Sequence, residues 1–144
     1  MGTKRDEFPR RDEHGRVAGL ADLLALTGAA LVTSAVVLVL IDAVSALLGW
    51  GRFGDSTGWL ALILPAWLFI VEELRAWRPV RGRLAVALSG GLAALALGVG
   101  AAALPAGAPP LVSGGVGAAV AAAAYAVYWF HGIRWLARRE GSVS

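Results

Sequence analysis

Long apolar runs, separated by short polar connections, dominate the chain. The longest run, 23–41, contains nineteen residues and no ionisable side chain. A helix of that length crosses a hydrocarbon core of about 30 Å. Apolar residues on both flanks lengthen the run and predict a first helix over 17–48. Because the run lacks the periods of soluble helices and strands, the pattern predicts a helix that spans a membrane.

Three further apolar segments predict three more transmembrane helices, over 57–77, 84–104 and 111–135. Pro65 lies in the middle of the second predicted helix, where it removes a backbone hydrogen bond and predicts a kink. The prolines of 105–110 separate the third helix from the fourth. We therefore predict an all-α integral membrane protein. Its transmembrane domain, 17–136, would be a four-transmembrane-helix bundle.

Both ends of the chain are polar, and the basic residues show which side they face. Residues 1–16 mix five basic with four acidic side chains without periodicity, which predicts a disordered tail, and 137–144 predict a second tail. Lys and Arg number five in the first tail, one in the first connection, four over 75–83, none in the third connection and three at the C-terminal end. Cytoplasmic segments carry the excess of Lys and Arg, so we predict an N-in/C-in topology with both termini cytoplasmic.

Composition agrees with a membrane location. The chain is 58% hydrophobic and 16% charged, whereas soluble domains are about 25% charged. The absence of cysteine excludes disulfides and thiol catalysis. Because the arginines flank apolar segments, the net charge of +3 reflects topology, and we expect no nucleic-acid partner. The Ala, Gly and Arg bias indicates a GC-rich, bacterial genome. Together with the apolar segments, it predicts a multi-pass protein of the cell inner membrane.

Small residues recur every four positions on the third and fourth predicted helices. The two lines contain Gly90, Ala94 and Gly98, and Gly114, Ala118 and Ala122. Small residues at this spacing let helices approach closely in a membrane. We predict a closely packed antiparallel hairpin of these two helices. The alternative is that these lines dock a helix of another protein.

Asp42 is an ionisable residue in the first predicted helix, where a charge is costly and indicates function by default. Gly28, Ala35 and Gly49 recur with it every seven residues and predict a face that turns inward. Asp42 is therefore a candidate proton-binding or cation-binding site. The alternative is a structural aspartate that caps a backbone or pairs with Arg52.

A second set of ionisable residues is predicted to gather at the cytoplasmic end, and its members are Asp22, Glu72, Glu73, Arg75, His131 and Arg134. Glu72 and Arg75 lie three positions apart on a helix, which favours an interfacial ion-pair network. The alternative is an acidic catalytic site at Glu72 and Glu73. Histidine and cysteine ligands are too few for a zinc site, and no nucleotide or phosphate motif occurs. We expect no metal and no cofactor.

These features favour a non-enzymatic protein. The leading hypothesis is a small accessory or structural subunit in the lipid bilayer, which packs through its Ala/Gly-rich helix faces against itself or a larger membrane protein. The alternative is a small homo-oligomeric transporter or channel that uses Asp42. A third hypothesis is an intramembrane enzyme that uses Glu72 and Glu73.

Overall fold

The computed structural model describes residues 11–13 and 15–141, so most of the first predicted tail and the end of the second lie outside the described residues. Its α-helices are α1 (Leu20–Leu47), α2 (Ile63–Leu68), α3 (Arg83–Ala102) and α4 (Pro110–Glu140). A 3₁₀ turn, Gly58–Leu62, precedes α2, and a π-helical turn, Phe69–Leu74, follows it. Within the described residues, α1, α3 and α4 are long and apolar enough to cross a membrane.

The stretch predicted as a second regular helix over 57–77 differs from expectation. It consists of 3₁₀, α and π portions of five, six and six residues, which we call the second segment (58–74). Pro65 lies in its α portion and has no N–H to donate to the preceding turn. The helix type therefore changes on either side of this proline, from 3₁₀ to α before it and from α to π after it.

The second segment runs alongside α4 in the same direction. At one end, a Cβ on Gly58 would lie 2.0 Å from the backbone nitrogen of Gly115. At the other end, Glu73 accepts a hydrogen bond from the indole of Trp129. The two contacts on α4 are fourteen residues apart, which corresponds to about 21 Å along the helix. The second segment therefore accompanies α4 over most of the thickness of a bilayer core.

α3 and α4 form a close antiparallel pair. The small residues of the two predicted lines, Gly90, Ala94, Gly98, Gly114, Ala118 and Ala122, are all buried. A Cβ on Gly98 would lie 2.7 Å from the carbonyl oxygen of Gly117, and one on Gly90 would lie 2.7 Å from the ring of Tyr128. These helices approach so closely because glycine adds no side chain at the crossing. Gly114 packs on Gly58 of the second segment instead of on α3.

α4 continues beyond its predicted end at residue 135, into the stretch assigned to the C-terminal tail. It reaches Glu140 and ends at Gly141, which adopts the left-handed conformation that commonly terminates helices. The carboxylate of Glu140 accepts hydrogen bonds from the backbone N–H groups of Arg81 and Gly82, at 2.9 and 3.0 Å. It thereby satisfies donors at the start of α3, where negative charge is also favourable. This contact explains why the last turns of α4 remain ordered.

The apolar core is concentrated at the end of the molecule where α4 terminates. Its buried members are Val17, Leu23, Trp77, Val80, Ala126, Trp129, Ile133 and Ala137. Val17 is 1% exposed although it follows directly on the predicted tail. The chain therefore begins to pack before α1 begins, and this packing brings polar side chains into the core.

Candidate functional site

Asp42 is buried near the far end of α1, five residues before the helix ends. Its carboxylate accepts hydrogen bonds from the backbone N–H of Gly54 and from both the N–H and the hydroxyl of Ser56, the last at 2.5 Å. The predicted pairing candidate, Arg52, donates its own backbone N–H to Asp55 instead. Asp42 therefore anchors the connection between α1 and the second segment. A role in proton or cation binding stays a prediction.

The position of Gly54 shows how tightly this connection is held. Gly54 has φ +100°, and a Cβ there would lie 2.9 Å from Cβ of Pro109. Its carbonyl oxygen accepts a hydrogen bond from the backbone N–H of Leu111, in the first turn of α4. One glycine thus links the carboxylate of Asp42 on α1 to the start of α4.

Glu73 is the second buried carboxylate, and it lies in the π-helical turn at the opposite end of the molecule. It accepts a hydrogen bond from the indole N–H of Trp129 at 2.9 Å and from the backbone N–H of Val17 at 3.4 Å. Because a buried carboxylate without partners is expensive, these donors make its position tolerable. Glu73 joins the segment before α1, the second segment and α4.

Two arginines surround Glu73 and complete the polar cluster. The guanidinium of Arg134 donates to the carbonyl oxygen of Val17 at 2.5 Å. The backbone N–H of the same valine donates to the carboxylate of Glu73, so both backbone polar groups of Val17 are bound. Arg16 is 3% exposed and donates to the carbonyl oxygen of Ala76 at 3.1 Å. The Cζ atoms of Arg16 and Arg134 lie 3.9 and 5.0 Å from the ring centroid of Trp77. Both contacts fall within the range of cation–π attraction.

The burial of Arg16 differs from the prediction of a disordered tail over 1–16. Arg16 and Val17 are pinned by the carboxylate of Glu73, by Arg134 and by the ring of Trp77. Sequence reasoning did not place Arg16 or the indole of Trp129 in this network. The signal that could have found these partners was Glu73, because an acidic residue next to an apolar run needs a donor from elsewhere in the fold.

The remaining predicted members of the cytoplasmic-end cluster are divided between this network and the surface. Glu72 forms an ion pair with Arg11, although Arg75 was its predicted partner. Arg75 is exposed, as is His131, whose ring meets that of Phe130 edge-on. Asp22 is half-buried in the first turn of α1. Across the described residues, no three His, Cys, Asp or Glu side chains are arranged to hold a metal ion.

A cavity of about 410 Å³ adjoins the cluster. It lies between α3 and the second segment, with α1 and α4 behind it. Among the described residues that line it, Glu72 and Glu73 are the charged ones, and the others are mainly Leu, Ala and aromatic side chains. The volume falls in the range of about 300–1,000 Å³ that is usual for small-molecule sites.

Aromatic rings form the part of the cavity wall next to Glu73. Phe69 meets the rings of Tyr125 and Trp129 edge-on, with centroid distances of 5.0 and 4.8 Å. Edge-on packing of this kind stabilises the arrangement of the rings. The hydroxyl of Tyr125 donates to the carbonyl oxygen of Ala87 at 3.1 Å and so fixes its ring against α3.

Comparison of the chain with protein-family models, with curated proteins and with solved structures finds no match. The arguments for function therefore rest on the geometry just described. The part of the chain that the structure describes combines three apolar helices of membrane-spanning length, two buried carboxylates bound by the chain's own donors and an apolar cavity.

Proposed function

We propose that the protein is a non-enzymatic accessory or structural subunit of a bacterial cell membrane, which packs against a second copy of itself or a larger membrane protein. The observation that carries this proposal is an exposed line of small residues on α1: Ala21, Ala25, Ala29 and Thr33. We call this line the α1 stripe. Small residues four positions apart allow two transmembrane helices to come into close contact.

The α1 stripe replaces the faces on α3 and α4 that the sequence suggested for docking. Those faces are buried within the chain and so are not free to bind another helix. In the most apolar stretch of α1, in contrast, 11% of the residues are buried, compared with 33% in that of α4. Thr33 donates its hydroxyl to the carbonyl oxygen of Ala29 at 2.8 Å, so the α1 stripe offers a close-packing surface without an unpaired donor at this position.

The state of the two buried carboxylates supports a role without catalysis. Asp42 accepts three hydrogen bonds from the connection that follows α1. Glu73 accepts two, from Trp129 and from the backbone of Val17. Both acids therefore hold segments of the fold together, which is the structural role that the proposal assigns to them.

The proposal includes four crossings of the membrane, with both termini in the cytoplasm. α1, α3 and α4 are long enough to cross by themselves. The second segment supports a fourth crossing because its contacts on α4 extend over about 21 Å of that helix. The alternation of Lys and Arg along the sequence supports the orientation.

The test is the size of the purified protein and of a variant with a blocked α1 stripe. The wild type in mild detergent, measured by light scattering, is expected to be a homo-oligomer or a stoichiometric complex with a larger membrane protein. Ala29→Leu places a bulky side chain on the α1 stripe and is expected to convert the assembly to a monomer. Ala96→Leu makes the same change at an exposed site on α3 and serves as the matched control.

Two outcomes would overturn the proposal. The first is a wild type that is monomeric and purifies alone. The second is equal assembly of the Ala29→Leu and Ala96→Leu variants, which would show that the α1 stripe is not the contact. Thermal unfolding of both variants is measured alongside, so that a loss of assembly is not confused with a loss of fold.

A further inference from the structure

We infer that the cavity between α3 and the second segment binds a hydrophobic organic cation, a molecule with aryl or alkyl groups around one positive charge. This site is separate from the α1 stripe and does not depend on the subunit role. The inference rests on four features of the cavity: its access from the apolar surface, its walls, its charges and the side chain that pairs with one of those charges.

The cavity is accessible from the apolar exterior of the molecule. α3 packs along α4, and the second segment packs along α1 and α4, so a gap remains between α3 and the second segment. Leu88 on α3 and Ile70 on the second segment both line the cavity, yet they are 70% and 55% exposed. In a membrane this surface faces lipid chains, and a hydrophobic molecule that partitions into the bilayer reaches the cavity from there.

The charges on the cavity wall favour a cation. Glu72 and Glu73 are the charged groups among its described lining residues, and both are acidic. Away from water, the interaction between opposite charges is strong, because the surroundings screen it weakly. Arg11 pairs with Glu72 and Arg134 interacts with Glu73, but neither arginine lines the cavity. A hydrophobic anion would therefore meet two carboxylates at the wall, which favours the cation of two ligands of the same shape.

The aromatic wall supports the same ligand class. Phe69, Tyr125 and Trp129 line the cavity next to Glu73 and are packed edge to face. The faces of aromatic rings attract cations, and organic cations that carry no hydrogen-bond donor depend on such rings for recognition. Carboxylates beside aromatic rings therefore provide both components that recognise a hydrophobic cation.

Arg11 occupies part of this environment with a positive charge of the chain's own. Its guanidinium forms an ion pair with Glu72 and also donates to the carbonyl oxygen of Gly15 at 3.0 Å. Both partners of the ion pair are partly exposed, at 29% and 34%. A bound cation competes with Arg11 for Glu72, so Arg11 acts as a competitor that lowers the affinity of the site.

The experiment measures binding of two probes of matched shape, tetraphenylphosphonium and tetraphenylborate, to the full-length protein in detergent. Protein-free micelles are measured in parallel and subtracted, since both probes partition into detergent. We expect saturable binding of the phosphonium and none of the borate. Equal binding of the two ions, or binding of neither, would overturn the inference.

Blocking variants locate the probe. Gly91 lines the cavity, and a Cβ there would lie at an ordinary 3.9 Å from Tyr125, so Gly91→Phe projects into the cavity without a clash at its base. Gly100→Phe is the matched control on the same helix, where a Cβ meets nothing within 4 Å. Phosphonium binding is expected to disappear in Gly91→Phe and to persist in Gly100→Phe. Binding that survives in both variants would show that the cavity is not the site.

Charge variants test the role of Glu72. Glu72→Gln removes a partly exposed charge and is expected to weaken phosphonium binding about threefold to tenfold. Arg11→Ala removes the competing guanidinium and is expected to strengthen binding about threefold. If neither variant changes the affinity, the cavity takes up its ligand by hydrophobicity alone, as for the acyl chain of a bilayer lipid, and the proposed selection for cations is wrong.

Discussion

Asp42 and Glu73 lie at opposite ends of the molecule and make the same kind of contact. Each is a buried carboxylate that accepts hydrogen bonds from backbone and side-chain donors outside its own helix or turn. Polar atoms in an apolar environment must be satisfied internally, because no water is available to replace a missing partner. The two acids therefore fix the chain segments that meet at the two ends of the apolar helices.

We expect Asp42→Asn to lower the stability of the protein by about 1–3 kcal/mol, because the amide replaces one acceptor by a donor and leaves a buried N–H or hydroxyl without a partner. Thermal unfolding in detergent measures the change. Asp55→Asn is the matched control, because Asp55 is exposed. Within the described residues, its carboxylate accepts one hydrogen bond, from the backbone N–H of Arg52. A stable Asp42→Asn variant that loses proton or cation flux in liposomes would instead favour the transporter hypothesis.

At the scale of helices, the second segment approaches α4 closely because Gly58 has no side chain. A Cβ on Gly58 would fall 2.0 Å from the backbone nitrogen of Gly115 and 2.2 Å from the carbonyl oxygen of Leu111. Backbone atoms of a helix cannot move aside as a flexible side chain can. The crossing therefore tolerates glycine at position 58 and no larger residue.

Gly58→Ala is expected to lower the midpoint of thermal unfolding by about 5 °C or more, since overpacking costs about 1–3 kcal/mol and more where backbone is involved. Gly115→Ala is the control on α4, because a Cβ at Gly115 meets nothing within 4 Å. The midpoint is followed by circular dichroism in detergent. Equal midpoints for the two variants would contradict the close approach of the second segment to α4.

The sequence predicted the three long helices well because the length of an apolar run directly limits the length of a transmembrane helix. The predicted bounds of α1 and α3 lie within three residues of those observed. The second segment was predicted less well, because 3₁₀, α and π turns share the same apolar composition and Pro65 alone signalled the irregularity. The extension of α4 depends on Glu140 meeting the start of α3, and no local pattern reveals such a contact.

The candidate site was predictable only in part, for a related reason. Asp42 and Glu73 stand out in the sequence because an ionisable group in an apolar run needs a partner. Their partners do not stand out. Ser56, Val17 and Trp129 bind these acids only after the fold has brought together segments that are up to 56 residues apart.

At the scale of the whole molecule, the buried charged side chains of the described residues lie at the two ends. Asp42 and its connection lie at one end, and Glu73, Arg16 and Arg134 lie at the other. This division matches a membrane protein whose ends meet the two aqueous interfaces. It also gives the second segment a definite role, since it runs from the first end to the second.

A topology experiment tests this arrangement directly, because the natural chain has no cysteine and any introduced thiol is unique. Phe53→Cys and Arg81→Cys place exposed thiols before and after the second segment. If that segment crosses the membrane with both termini cytoplasmic, a membrane-impermeant maleimide labels position 53 in spheroplasts whose membrane is intact. It labels position 81 only after the membrane is permeabilised.

Ala106→Cys extends the test to the connection between α3 and α4, where the side chain is exposed. With four crossings, position 106 lies on the same side as position 53 and is labelled with it. If the second segment only dips into the bilayer, positions 53 and 81 lie on one side and position 106 lies on the other. The labelling pattern at these three positions therefore distinguishes four crossings from three, whichever way the protein is oriented.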